Sequence, residues 1–185
     1  TTVEGIQNTS RVALAAIQGN YIGPLVAATT FVRHTALARR SLQLSFVDSY
    51  SLRHVTFPFN LLVNSVASLI PAPTRTIYAS TKSASLLLYQ ALSIEHPQVN
   101  FTHLLPATVQ GDFRASAVDG ESSTEPSAPN KVGLEPGKVA ERAVRAIDEG
   151  EKVVWMPLMM RFGHLLYWFW PSFVERKARK KYHFE

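Results

Sequence analysis

Residues 61–84, LLVNSVASLIPAPTRTIYASTKSA, decide how the rest of the chain is read. An apolar run gives way to Asn64 and Ser65, a turn interrupted by Pro71 and Pro73 comes next, and then Tyr78 and Lys82 stand four residues apart at the start of a helical pattern. This order predicts a short buried strand over Leu61–Ser65, an extended link, and a helix from Thr76 or Ile77 to Glu95, which Pro97 prevents from continuing. Residues i and i+4 share a helix face, so the Lys82 ammonium is expected close to the Tyr78 oxygen, where a cation favours the phenolate. Unit charges about 4 Å apart at an effective dielectric of about 20 interact by roughly 4 kcal/mol, which lowers a phenol by roughly three pKa units from about 10. Tyr78 is then expected to act as an acid or base near neutral pH.

Downstream, Val99–Leu105 reads as a second buried strand that stops at Pro106. From Asp112 to Gly133 the composition turns to Ser, Pro, Gly and acidic residues, the signature of a loop. Pro136 opens an amphipathic helix with Val139, Ala143, Val144 and Ile147 inward and Gly150 as its stop, and Lys152–Met156 comes after it as a third strand. The run Leu86–Leu88 predicts burial of the preceding helix on more than one side.

Upstream, Thr1 and Glu4 form a capping-box pattern, and helical spacing through Ile6, Val12, Leu14, Ile17, Tyr21 and Leu25 predicts a long helix to about Val32. Gly23-Pro24 is expected to kink it. Asn20 lies inside this helix, and an amide on a mostly apolar helix needs partners. Residues 33–60 keep no period, and as a connection they far exceed the usual roughly 4 to 6 residues. They read as an inserted loop with some helix at its start, or as non-native sequence. Helices alternating with strands imply an α/β fold, a parallel sheet with crossover helices.

The chain has 185 residues, 46% apolar and 18% charged, enough for one sizeable core. It has no Cys, so disulfide and thiol chemistry are excluded, and its six His show no ligand spacing, so no metal centre is expected. The sequons at Asn8 and Asn100 read as chance matches. The net charge of +5 is uneven, with Arg176, Lys177, Arg179, Lys180 and Lys181 crowding one end. They come after a tail rich in Met, Phe, Tyr and Trp, whose longest uncharged run, Phe162–Val174, is short of the roughly 20 residues a spanning helix needs. Residues 158–185 therefore read either as a segment lying in a membrane interface or as a helix packed on its own domain or on a second subunit. A nucleic-acid partner is not expected, because the basic tail belongs to no recognisable module.

Tyr78-Ala79-Ser80-Thr81-Lys82 matches the Tyr-x-x-x-Lys motif of the short-chain dehydrogenase/reductase family, and Ser65 stands 13 residues before Tyr78, the spacing that family uses. Asn20 is similar to the helix asparagine of its catalytic tetrad, and Pro106-Ala107-Thr108-Val109 resembles the Pro-Gly-x-Val turn after its next strand. The resemblance covers most of the chain outside 33–60. It implies a Rossmann-like parallel sheet with flanking helices, of which residues 1–157 supply the second half of the doubly wound fold only, with 158–185 as an aromatic and basic helical tail. Ala107 stands where the family has Gly, and Gly111 where it often has Thr. The family's glycine-rich phosphate loop has no counterpart, since no Gly-x-x-x-Gly-x-Gly occurs.

The function so implied is hydride transfer between NAD or NADP and an alcohol or carbonyl carbon. Tyr78 would pass the proton, Ser65 would hydrogen-bond the substrate oxygen, Lys82 would lower the Tyr78 pKa and hold the cofactor ribose, and Asn20 would position a water. Tyr78, Lys82 and the Pro106–Val109 turn would meet the cofactor. Taken singly, each residue also has a structural reading: Ser65 as a strand-end cap, Lys82 as a solvated helix residue, Asn20 as a core amide. The aromatic tail is similar to that of family members acting on lipophilic alcohols at membranes, which implies a lipophilic substrate and an intracellular place, cytoplasmic or on an internal membrane surface. The helices carrying Asn20 and Tyr78 commonly pair two subunits in the family, so a homodimer is implied. Turnover by this chain is expected to be impaired for lack of the phosphate-binding half, and the alternative expectation is a catalytically silent relative that serves only in pairing or membrane association.

Overall fold

The computed structural model describes residues 3–43, 58–111 and 132–184. Three parallel strands, β1 (Phe59–Val63), β2 (Asn100–Pro106) and β3 (Val153–Met156), form one sheet in the order β1-β2-β3. The register sets Phe59 beside Asn100 and Val63 beside Leu104, then His103 beside Val153 and Pro106 beside Met156. Between β1 and β2 runs helix α3 (Thr76–Glu95), and between β2 and β3 runs α4 (Pro136–Asp148). The expected α/β alternation is thus present.

β2 is central and buried from Phe101 to Pro106, as an apolar strand covered on both faces must be. Alternate residues serve opposite faces. Phe101 packs with Leu62, Tyr89, Leu92, Val99, Ala28 and Val32, while Leu104 packs with Ala143, Ala146 and Val154 from α4 and β3. A bidentate Arg142–Glu151 pair, at 2.6 and 2.8 Å, ties α4 to the approach of β3.

Several boundaries differ from the expectations. β1 lies two residues earlier than Leu61–Ser65, because Asn64 and Ser65 turn away to cap a short 3-10 turn. The first helix does not end near Val32: α1 (Val3–Ile17) passes through a π turn (Gln18–Ile22) into α2 (Gly23–Gln43), so helix occupies the start of the stretch read as an insertion. Residues 44–57 lie outside the described residues, as do the Thr1 cap and the loop 112–131. In α4 Ala143 and Ala146 are buried and Val139 and Ile147 half-buried on the inward face, whereas Val144 is exposed, contrary to expectation. Leu87 is exposed between buried Leu86 and half-buried Leu88, so one face of α3 stays open while β2 and the α1–α2 helix cover others, the burial on more than one side that the leucine run predicts.

The tail breaks at Trp170 into two short helices, α5 (Met160–Phe169) and α6 (Pro171–Tyr182), since Pro171 suits a first helical turn and no interior position. Among the described residues one helical stretch, Gln7–Thr35, is long and apolar enough to cross a membrane by length and composition. On it Ala16, Ala28 and Val32 are buried against the protein.

Candidate active site

The carboxyl end of β1 meets the first turns of α3. Asn64, buried, holds the junction with both ends of its amide: Nδ2 donates to the Lys82 carbonyl at 3.0 Å and Oδ1 accepts from the Ser65 N–H at 2.8 Å. Its own N–H continues the ladder to Leu104. Ser65 then caps the single 3-10 turn (Val66–Ser68), its Oγ accepting from the Ala67 N–H at 3.2 Å. The cap uses the oxygen as acceptor and leaves the hydroxyl proton available to a further acceptor.

Tyr78 and Lys82 share the inner face of α3. Lys82 Nζ stands 5.9 Å from the Tyr78 ring centroid and donates to the Val63 carbonyl at 3.2 Å. In the parallel ladder the N–H of Asn64 points to β2, so the Val63 carbonyl points to the other side of β1, and the ammonium takes it. Burial pushes the Lys82 pKa down. Tyr78 is buried, with the Arg75 guanidinium over its ring at 4.2 Å from the centroid. Arg75 Nη2 is itself buried with no hydrogen-bond partner among the described residues.

Asn20 sits in the π turn. Pro24 has no N–H to return to the Asn20 carbonyl, and Gly23 donates instead to Gln18, five residues back. The Ser85 hydroxyl of α3 supplies the missing donor to the Asn20 carbonyl. One turn on, Tyr89 donates to the Pro24 carbonyl at 3.2 Å. Asn20, Tyr78 and Lys82 are thus tied to one helix, and Ser65 is tied to it through Asn64.

Pro106–Val109 leaves the end of β2 as a turn. Ala107 donates to Met156, while Thr108 accepts from Leu134 and Val109 bridges it. A Cβ on Gly133 would come within 2.5 Å of the Thr108 carbonyl, so only glycine fits there. Gly111 has φ +121°, a conformation in which the Thr common in the resembled family would be strained. Among the described residues no group of three or more metal-ligating side chains occurs.

A cavity of about 400 Å3 lies beside this site. It is lined by Leu69, Ile70, Pro71, Ala79, Ser83 and Tyr167 among others. Thr76, Ala79, Ser80 and Ser83 line it from the flank of α3 beside Tyr78 and Lys82, neither of which lines it.

Four residues of this region escaped the sequence reading. Asn64 had a signal, a polar residue ending an apolar run before a turn. Arg75 had one too, a cation three residues ahead of Tyr78. Ser85 and buried His103 had none, because their partners or neighbours are distant in sequence.

Two crystal forms of the bulky-bulky ketone specific alcohol dehydrogenase from Comamonas testosteroni superpose on 90% and 92% of this chain, with TM-scores of 0.52 and 0.53 and identities of 20% and 19%. The shared fold is Rossmann-like. A short-chain dehydrogenase from Sphingobium yanoikuyae, solved with NADPH, matches 66% of the chain at 22% identity with a TM-score of 0.45. The chain spans about half the length of these structures, 44% to 52%. No family model matches the sequence, and no curated protein does.

Proposed function

We propose that this chain forms the second half of a short-chain dehydrogenase/reductase, an oxidoreductase that moves hydride between NAD or NADP and an alcohol or carbonyl carbon. The observation that carries the reading is the Tyr78–Lys82 pair on one face of α3, clamped to the end of β1 by the Lys82–Val63 and Asn64–Lys82 hydrogen bonds. The shared fold and the ketone in the name of the Comamonas enzyme support it.

Of the cofactor, the chain's residues fit the nicotinamide ribose end. An ammonium has three donors, and Lys82 uses one on Val63, leaving two for ribose hydroxyls. The Pro106–Val109 turn, closed by Leu134, would border the ring. When bound, the nicotinamide supplies or accepts the hydride. Tyr78 holds the proton exchanged with the substrate oxygen, with the cations of Lys82 and Arg75 beside its ring. Ser65, its oxygen occupied by Ala67, donates its hydroxyl proton to the same substrate oxygen and steadies the charge forming there. Asn20, fixed by Ser85, positions a water beside Lys82.

The finer parts of the reading are a lipophilic alcohol or ketone substrate, a homodimer formed through the exposed apolar residues of α1, α2 and α3 such as Leu14, Val26 and Leu87, an intracellular place, and contact with a membrane surface through residues 158–185. With no Gly-x-x-x-Gly-x-Gly, the 185 residues alone would turn over poorly.

One observation favours a silent relative instead: Ser65 Oγ and Lys82 Nζ both serve structural hydrogen bonds. A fluorescence titration of the full-length protein with NADH and NADPH separates the two readings. The oxidoreductase reading expects binding of at least one cofactor, weakened by Lys82→Ala; binding of neither overturns it.

A further inference from the structure

Helix α5 is apolar on the wrong side. Its inward residues, Met160, Gly163, His164 and Tyr167, dock on the protein: His164 Nδ1 donates to the Leu69 carbonyl at 3.2 Å, its ring lies 5.8 Å from that of Trp155, and Gly163 approaches Ile70. At 100° per residue the opposite stripe is Phe162, Leu165, Leu166 and Phe169. These face outward, 68%, 43%, 41% and 86% exposed. A surface helix ordinarily shows the reverse arrangement, with polar residues outward. Met159 and Trp170 extend the patch at either end.

The neighbouring helix carries the charge. Arg176, Lys177, Arg179, Lys180 and Lys181 lie on α6, and Glu175, paired with Arg179 at 3.7 Å, is the only acid between Pro157 and Phe184. At 1.5 Å per residue α5 and α6 are about 15 and 18 Å long, against a hydrocarbon core of about 30 Å. Neither crosses a bilayer. An outward aromatic stripe joined to a cationic helix fits the boundary between acyl chains and anionic headgroups, where rings settle at headgroup depth and lysines stay in water.

We infer that α5 and α6 form a docking surface for an anionic lipid bilayer, with Phe162, Leu165, Leu166 and Phe169 entering the interface and the α6 cations holding the headgroups. Charge complementarity selects this occupant over a second copy of the chain, whose own α6 would repel the first. The inference deepens the membrane part of the proposed function and rests on it, yet stands apart from the chemistry. A cofactor titration without lipid tests one; vesicle binding tests the other.

The test is co-sedimentation of the whole chain with phosphatidylcholine vesicles, with and without phosphatidylserine. Pelleting is expected with phosphatidylserine and should be released by added salt. Phe162→Ser with Phe169→Ser should abolish it while the circular dichroism spectrum is kept, both side chains pointing away from the fold. Lys177→Gln with Lys180→Gln should weaken it by roughly 25-fold at low salt. The inference is overturned if the chain stays in the supernatant with anionic vesicles. It is equally overturned if the Phe substitutions leave pelleting unchanged but dissolve a dimer seen by light scattering, which would give the stripe to a second copy.

Discussion

His103 and Lys82 lose basicity for the same physical reason, removal from water, and at His103 the consequence reaches the whole fold. It is 3% exposed on β2, its ring 6.4 Å from that of Tyr89, its Nδ1 without a partner among the described residues, and burial pushes its pKa down from 6.5 to about 4. A depressed folded-state value means that the unfolded chain binds the proton more readily. Stability is therefore complete above pH 6.5 and falls as the pH drops towards and through 4, by up to about 3 kcal/mol. Urea titrations across this range should show the loss in wild type and a flatter profile in His103→Leu. Asn64→Ala should cost about 1–3 kcal/mol, since it strips partners from the Lys82 carbonyl and the Ser65 N–H, and equilibrium unfolding reads it directly. At this scale i,i+4 spacing placed Tyr78 and Lys82 on one helix face, and the family resemblance suggested their roles. Their surroundings were not legible, because Arg75 over the ring and Val63 beneath the ammonium depend on side-chain paths that spacing does not encode.

Among the elements, the π turn and the link ahead of α3 carry the most local conflict. Pro24 removes the N–H that would close the Asn20 carbonyl, and a hydroxyl from α3 takes its place. Ser85→Ala should thus remove the side-chain donor to that half-buried carbonyl and lower stability by about 1–3 kcal/mol in a thermal or denaturant melt. Thr74, β-branched, is held at φ +68° in the link. Thr74→Gly should relieve this and raise stability by about 1 kcal/mol, read by the same melt; a loss instead would show that Thr74 makes a contact worth more than its strain. Periodicity placed α3, β2, α4 and β3 within a residue or two. It placed β1 late, because the strand's limits are set by its pairing with Asn100–Leu104 and not by its own apolarity. It also stopped the first long helix early: Ala36-Leu37-Ala38-Arg39-Arg40 are good helix formers that carry no apolar stripe.

Across the whole molecule the sheet has an open side. Among the described residues β1 pairs only with β2, and the backbone groups of Phe59 and Leu61 point away from that ladder. Exposed Phe59 and Val63 lie along the same edge. An unpaired edge invites pairing with another chain, so the 185 residues by themselves should self-associate as concentration rises, seen as an earlier-eluting peak in size-exclusion chromatography. Fold class was legible in the alternation of elements, and the Tyr-Lys pair in five residues. The cavity beside α3 and the outward stripe of α5 were not, since both depend on how the tail docks against Leu69 and Ile70. The central claim is that Tyr78 exchanges the proton of a hydride transfer. Its most direct test is ketone-dependent oxidation of NADH or NADPH by the full-length protein and its Tyr78→Phe variant. The account predicts turnover by the wild type and a loss of at least about a hundredfold in kcat for the variant, far larger than any loss of cofactor affinity. Equal turnover by both would contradict it.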